Sequence, residues 1–511
     1  MRTHPFFPVL LLLASVVPAP PAEGGSPPVR EITMRECVEA ALRSNIDIAV
    51  SRAERESAGF AVPAEEAAFL PRFTGDFSYL RSVGPTGSAI EGTLTVDQKT
   101  WNLDTGVKKL LRSGTSLSLV FENERQEAGT AIALYNPQYT TSLTLSVFHP
   151  LLKNSGKEVT EAPLQVARAG AEASTKEWMA KVMDTVAAAR TSFLAFHAAS
   201  REVEVRKTSL DLAERLLQQT EARIDAGFAA PVDRLPAEAA SAARKEELLR
   251  AEAAAQNAED DLKTILGLRA DQDWEERLVP VAPEGIPSPP GPGDTFEDAV
   301  QRRPELSALA ARTHQMEIEV SVARNRTLPD LSLTASGGLT GLAGSLAPNP
   351  FFPGLGKEFE GGYGDSLQEM FSGDYYTWFV GLSAEIPWKF ERERAEWARA
   401  RSGLRQQRLR EEGLLARIRT EVRKGRRDLV SSLARVDAAA ASVAAARGNL
   451  DAEQRRLDLG ASTTTRVLEF QQDYAQALLA EVKAITDAYL AQTLLWRSVG
   501  SILEKEGISV R

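Results

Sequence analysis

In 511 residues there are one cysteine and four histidines, and acidic side chains outnumber basic ones, for a net charge of −10. Each shortage excludes something. A single thiol, Cys37, cannot close an intramolecular disulfide, so no disulfide framework is expected. The residues before it, Met34-Arg35-Glu36, are not the small apolar set that precedes a lipidated cysteine, and Cys37 reads as a buried helix residue. His4 lies in the N-terminal leader, and His149, His197 and His314 stand far apart, none in His-Glu-x-x-His spacing. There is no G-x-S-x-G elbow, and Gly156-Lys157 lacks the upstream glycine and following hydroxyl of a phosphate loop. Carboxylates are plentiful, but they fall on long helical stretches where they form a solvated face. The chain is therefore expected to be no enzyme, with no cofactor and no metal. The acidic balance argues against a nucleic-acid partner, which would need a basic excess.

Long apolar runs are also scarce. Phe6 to Val17 behind Arg2 is too short to span a bilayer, where about 20 residues are needed. It suits the core of a secretory signal over residues 1–22, cleaved after Ala19 or Ala22. No later stretch reads as apolar and uncharged for long enough to be a membrane helix. An exported chain of this kind is expected to cross a membrane by strands or not at all.

What the sequence does have is a duplication. Thr33-Met34-Arg35-Glu36-Cys37-Val38 is echoed by Thr295-Phe296-Glu297-Asp298-Ala299-Val300. Leu70-Pro71 is echoed by Leu328-Pro329, Pro150 by Pro387, and Arg223-Ile224-Asp225-Ala226-Gly227 by Arg456-Leu457-Asp458-Leu459-Gly460. The landmarks keep their order, as in a repeated structural unit. We expect a first repeat over 23–280, a stiff linker over 281–293 carrying five prolines, and a second repeat over 294–511.

Each repeat runs short helix, strand region, long helix, glycine break, long helix. Helical spacing over about 34–68 gives way at Phe69 to a period of two, with Phe73, Phe77 and Tyr79 alternating with Thr74, Asp76 and Ser78. The same alternation marks Leu143, Leu145, Val147; then Leu331, Leu333, Ala335; then Tyr376, Trp378, Val380, Leu382. These four segments have the roughly 9–11 residues of membrane strands. Tyr375, Tyr376, Trp378 and Trp388 gather there like an interfacial girdle. The first repeat is longer between its prolines, and the surplus, about 92–122, contains another alternating run, Leu117, Leu119, Phe121, read as an extension of the hairpin beyond the membrane. Gly337 to Gly373 reads as a loop. The helical runs from Gly156 to Asp225 and from Glu391 to Asp458 would each reach about 100 Å. They break at Gly227 and Gly460 and resume over 233–266 and 465–503, giving two alanine-rich hairpins suited to a packed cylinder.

Four strands cannot close a barrel, since single-chain barrels begin at about 8, and open edges are not tolerated in lipid. The chain must then oligomerise; three copies would supply twelve strands. At this point the helix opening Thr33 to Asn45, the Leu-Pro strand entries and the Arg-x-Asp-x-Gly breaks resemble the TolC-type outer-membrane efflux proteins, over about Ile32 to Leu503. The resemblance implies an α+β membrane protein: a homotrimer with a twelve-stranded barrel in outer-membrane lipid and a large periplasmic helical barrel. It further implies docking to a periplasmic adaptor (membrane fusion) protein and an inner-membrane pump, so that the trimer is a passive exit duct. It places the adaptor surface at Gly227, Phe228, Ala229, Gly460, Ala461 and Ser462. Asp233 matches the place of a gate carboxylate, whereas Arg466, its counterpart, departs from the acidic residue often found there. The other reading is an exported helical scaffold without a channel, which leaves the symmetric strand segments unexplained.

Overall fold

The computed structural model describes residues 29–87, 93–130, 132–268, 274–347 and 355–509; the expected signal segment lies outside them. The chain opens with β1 (Val29–Ile32), α1 (Met34–Ser44) and α2 (Ile46–Glu66), then four strands, β2 (Arg72–Pro85), β3 (Thr95–Leu110), β4 (Ser116–Ala128) and β5 (Tyr135–Pro150). Helices α3 (Lys157–Thr160), α4 (Ala162–Asp225) and α5 (Arg234–Leu266) follow, then β6 (Arg277–Pro280). The remainder comprises α6 (Phe296–Arg302), α7 (Pro304–Asn325), β7 (Asp330–Leu346), α8 (Tyr363–Ser372), β8 (Tyr376–Glu385), α9 (Glu391–Asp458), α10 (Thr464–Val499) and α11 (Ile502–Lys505).

The repeated Thr-x-x-acid motif is a capping box in both places. Thr33 Oγ1 accepts from Glu36 N at 3.2 Å while Thr33 N donates to the Glu36 carboxylate at 2.8 Å. Thr295 and Asp298 exchange the same two bonds, each 3.3 Å. Each box satisfies orphan amides at a helix start, which fixes where α1 and α6 begin. The helix expected over 34–68 is divided at Asn45, whose side chain accepts from Ile48 N and starts α2 afresh.

The residues form two compact units that cut across the repeats. One gathers residues up to Arg43, Ala189–Gly285 and Ala439–Thr486. Its β1 and β6 pair in parallel, Val29 opposite Arg277, and Leu216, Leu450, Leu457 and Val467 form an apolar cluster between its helices. Cys37 is fully buried in α1, as expected.

The other unit holds the rest of the described chain. Its helical core packs Ile418, Val422 and Leu429 of α9 against Leu495 and Val499 of α10 and Ala299 of α6. A charge network centred on the largely buried Arg303 and Arg497, with the outer carboxylates Glu421 and Asp184 exposed, joins both repeats there. Arg303 donates to Glu421 (2.5 Å) and Glu305 (3.1 Å), and Arg497 pairs with Asp184 (2.6 Å) and Glu305. By length and composition α9 contains an 18-residue window apolar enough to cross a membrane, which corrects the expectation that no such stretch follows the N-terminus. The apolarity comes from leucine and valine set among alanines, as in Leu433, Val436 and Ala438-Ala439-Ala440-Ala441, and only 17% of that window is buried. Counting alanines as helix formers alone concealed it.

The same unit contains one antiparallel sheet of six strands, in the order β2-β3-β4-β5-β7-β8. Two expectations fall here. The extra region of the first repeat does not extend the hairpin; it supplies β3 and β4, inserted between β2 and β5 and paired along their lengths. The chain thus gives six strands where four were expected, and three copies would give eighteen. Nor is Gly337–Gly373 a loop throughout. Gly337, Gly338, Gly341 and Gly344 continue β7, where strands on both sides make a ladder that glycine alone would not favour. Further on, α8 forms a helix capped by Asp365, whose carboxylate accepts from Gly362 N at 2.7 Å. Part of the connection before it, 348–354, lies outside the described residues.

Candidate functional site

Residues directly opposite in an antiparallel pair project from the same side, so the register sorts every strand side chain onto one of two faces. One cross-strand row reads Phe73, Val107, Leu119, Leu145, Gly337, Trp378; the adjacent row reads Thr74, Gly106, Val120, Thr144, Gly338, Thr377. The face of the first row carries Phe77, Leu103, Leu117, Phe121, Leu143, Val147, Leu333, Val380 and Leu382. The other carries mostly serine, threonine and charged groups. The apolar face is bare in the single chain: Phe73 is 78% exposed and Trp378 71%. An apolar sheet face with a polar face behind it is the pattern of a membrane strand, lipid on one side and water on the other.

The apolar face also has an end. Four strands along its upper limit, Tyr79, Trp101, Arg125 and Tyr139 form one row. Tyr79 and Trp101 rings lie 5.0 Å apart, and the Arg125 guanidinium sits 4.4 Å over Trp101. One step further the row is Arg81, Lys99, Glu127, with Arg81 bridging to Asp97 at 2.8 Å and Lys99 to Glu127 at 3.5 Å. Apolar, then aromatic, then charged is the order met on leaving a bilayer. Helix α8 lies over this face beyond the apolar rows of β5 and β7: Tyr363 donates to Asn123 Oδ1 at 2.7 Å, and Thr141 Oγ1 donates to Ser366 O at 3.0 Å. Gly341 is required there, since a Cβ would stand 2.0 Å from the Ser366 carbonyl.

On the polar face, Asp76 stands opposite Asp104. The register of β3 and β4 brings Glu122 next in line, and Glu122 accepts from Ser142 at 2.8 Å. This acidic row was missed from the sequence because β3 was not read as a strand. The signal was present: Trp101, Leu103 and Val107 alternate with Asn102, Asp104 and Gly106.

The other unit carries the two helix breaks. Gly227 has φ +82° and Gly460 φ +76°, the left-handed region that favours glycine. Both turns close alike. Phe228 N donates to Arg223 O and Gly227 N to Ile224 O, while Ala461 N donates to Arg456 O and Gly460 N to Leu457 O, two copies of one C-terminal cap. Arg223 reaches across to Leu457 O at 2.6 Å, and Gln219 to Asp458 at 2.7 Å, so the turns are tied to each other. Large apolar side chains are nonetheless left open beside them: Phe228 is 80% exposed and Leu459 84%, with Val232 and Leu235 nearby in sequence. Ala229 follows Phe228, and Ser462 donates to Glu453 at 2.5 Å.

Asp233 and Arg466 are not brought together within one chain. Asp233 accepts from Ala230 N at 3.0 Å and starts α5; Arg466 bonds Glu469 at 3.0 Å and lies over the Phe470 ring. Among the described residues no group of histidine, cysteine or carboxylates is arranged to hold a metal ion.

The family model described as "Outer membrane efflux protein" matches residues 37–268 and 295–501, one stretch in each repeat. No curated relative matches the sequence. Among solved structures, the outer-membrane channel OprN is similar at 19% identity and TM-score 0.66, covering 92% of this chain and 90% of that one. The Campylobacter jejuni CmeC outer membrane channel is similar at 15% identity and TM-score 0.65, covering 92% and 86%. The Vibrio cholerae outer membrane protein VceC is similar at 16% identity and TM-score 0.63, covering 91% and 96%. At such identities these likenesses establish the fold.

Proposed function

Because the chain belongs to the outer membrane efflux protein family, we propose that three copies close their sheets into one barrel in the outer membrane and form a passive exit duct. An inner-membrane pump would deliver solutes to it through a periplasmic adaptor. The observation that carries this reading is the sheet: one apolar face, one polar face, and two edges, β2 and β8, each with a strand on one side only among the described residues. Unpaired backbone groups at such edges are costly in lipid, so the edges must be paired by other copies. Strand directions alternate from β2 to β8, so β8 of one copy meets β2 of the next antiparallel, which is what ring closure requires.

The two repeats, 23–280 and 294–511 joined by 281–293, each contribute one helical hairpin. We assign the adaptor surface to the turns Gly227-Phe228-Ala229 and Gly460-Ala461-Ser462, supported by the exposed Phe228 and Leu459, which offer an apolar patch to a partner. Asp233 of one copy and Arg466 of the next would meet around the ring and hold that end of the duct closed. Nothing in this arrangement couples to an energy source; flow follows the pump.

Detergent-extracted protein should run as a trimer in native mass spectrometry, stay with the outer-membrane fraction after salt and carbonate washing, and conduct ions in planar bilayers. A monomer lost to the wash would return the chain to the class of exported scaffolds.

A further inference from the structure

We propose that the β3–β4 hairpin crosses the outer membrane as part of the barrel wall, so that the closed assembly has eighteen strands and admits bulky polar solutes that a twelve-stranded wall would exclude. The eighteen rests on the three-copy reading above; the crossing of the hairpin does not.

Three observations carry the crossing. First, β3 and β4 are full-length neighbours. Arg72 to Pro85 pairs with Thr95 to Lys108 without interruption, and β4 pairs with β5 from Ser116 to Gln126. A loop outside the membrane would pair with the ends of β2 and β5, not with their whole length. Second, the two strands carry the same two-faced code. Val107, Leu103, Leu117, Leu119 and Phe121 share the apolar face, and their aromatic and charged limits, Trp101 with Arg125 and Lys99 with Glu127, fall in the same rows as those of β2. Third, the short turn between them is built into the unit. Gly114 takes φ +90°, Gly156 N donates to Ser113 O at 3.2 Å, and Arg112 pairs with Glu161 at 2.7 Å and with Glu66 of α2 at 3.4 Å. Short turns at one end and longer loops at the other are the rule for outer-membrane barrels.

The apolar band itself reports how the strands lie. Its centre shifts along the rows from between Gly75 and Phe77 in β2 and between Leu103 and Thr105 in β3, through Leu119 and Leu145, to Ala335 and Val380 in β7 and β8. Over the whole sheet that drift averages about one residue per strand. A rise of ~3.3 Å against a strand spacing of ~4.8 Å gives a tilt of about 35°, within the roughly 35–45° of membrane barrels. The centre of β3 shares its row with that of β2 and the centre of β4 with that of β5, so the inserted strands keep to the band of the strands they adjoin, where an extramembrane hairpin would depart from it. Barrel diameter grows about linearly with strand number, so eighteen strands give a mouth about half again as wide as twelve.

Two single-cysteine variants test the crossing in the full assembly, since Cys37 is buried. Leu119→Cys carrying a fluorophore should be quenched by brominated phospholipid, and Glu122→Cys should react with an aqueous maleimide without lipid quenching. Equal aqueous reactivity and no quenching at either position would overturn the proposal. Width is tested by deleting residues 95–128, which leaves β2 beside β5 with Phe73 and Leu145 on one face. Polyethylene glycols added on the barrel side should enter wild type up to a radius about half again larger than in the deletion. An unchanged cut-off in a folded deletion variant would refute the wider mouth. A native mass of two copies would instead sink the three-copy reading and leave the cysteine result standing.

Discussion

At the residue scale, burial and partnership decide what each titratable group can do. Burial pushes the Cys37 thiol up to about 12, with the Glu36 charge adding to it, so the thiolate is absent at neutral pH. Native protein should consume almost no aromatic disulfide reagent up to pH 9 and about one equivalent after denaturation; a fast native reaction would show that α1 opens. Burial pushes Glu305 upward, but hydrogen bonds from Arg303 and the charge and bonds of Arg497 outweigh it and hold the carboxyl at about 2. A value lowered from 4.5 makes the contribution complete above about pH 4.5 and lost as pH falls toward 2. Glu305→Gln should therefore cost roughly 2–3 kcal/mol at pH 7, with the gap to wild type closing between those limits in urea titrations. A gap independent of pH would mean that packing, not charge, is lost. Asp233 and Arg466 pose the complementary case, a half-buried carboxylate and an exposed guanidinium in positions that the repeat makes equivalent. Each such pair is worth only about 0–1 kcal/mol, but the ring repeats it. Asp233→Arg should raise channel conductance, and adding Arg466→Asp should return it toward wild type; a double variant no closer to wild type than the singles would separate the two residues.

At the element scale, what was legible in the sequence was what local chemistry alone decides. Thr33 and Thr295 cap helices because a hydroxyl and a carboxylate three residues apart satisfy orphan amides wherever they occur. Gly227 and Gly460 end helices because only glycine takes φ near +80° without cost. The four strand segments were read because large apolar residues alternate in them. β3 escaped because Thr105 interrupts its apolar face and charged residues occupy its start, and its membership depends on β2 and β4 lying on either side. The glycines of β7 escaped for the opposite reason: a residue without a side chain shows no alternation. Gly341 has a particular task, since the α8 backbone passes where its Cβ would be. Gly341→Leu should dislodge α8, seen as protease cleavage near Tyr363 or Phe371 in assembled protein, while strand content by circular dichroism stays near wild type. Resistance to protease equal to wild type would mean that α8 is held from elsewhere.

At the scale of the whole molecule, the polar face of the sheet becomes the wall of an aqueous passage, and in the row of Asp76 its charge is one-sided. Asp76, Asp104 and Glu122 come from three adjacent strands, and two of the three belong to the inserted hairpin. Threefold repetition would set nine carboxylates around one level of the lumen. Rings of like charge in a low-dielectric wall concentrate counter-ions and repel co-ions, and the effect weakens as salt shortens the screening length, ~30 Å at 0.01 M but ~3 Å at 1 M. The duct should be cation-selective at low salt and lose that preference at high salt. In a salt gradient across a bilayer, the reversal potential of the variant Asp76→Asn, Asp104→Asn, Glu122→Gln should move toward zero, with open conductance at 1 M little changed. Deleting 95–128 removes Asp104 and Glu122 as well as two strands, so it should weaken selectivity and narrow the mouth together, whereas the triple substitution weakens selectivity alone. If the triple variant keeps the wild-type reversal potential, the selectivity does not come from this acidic row.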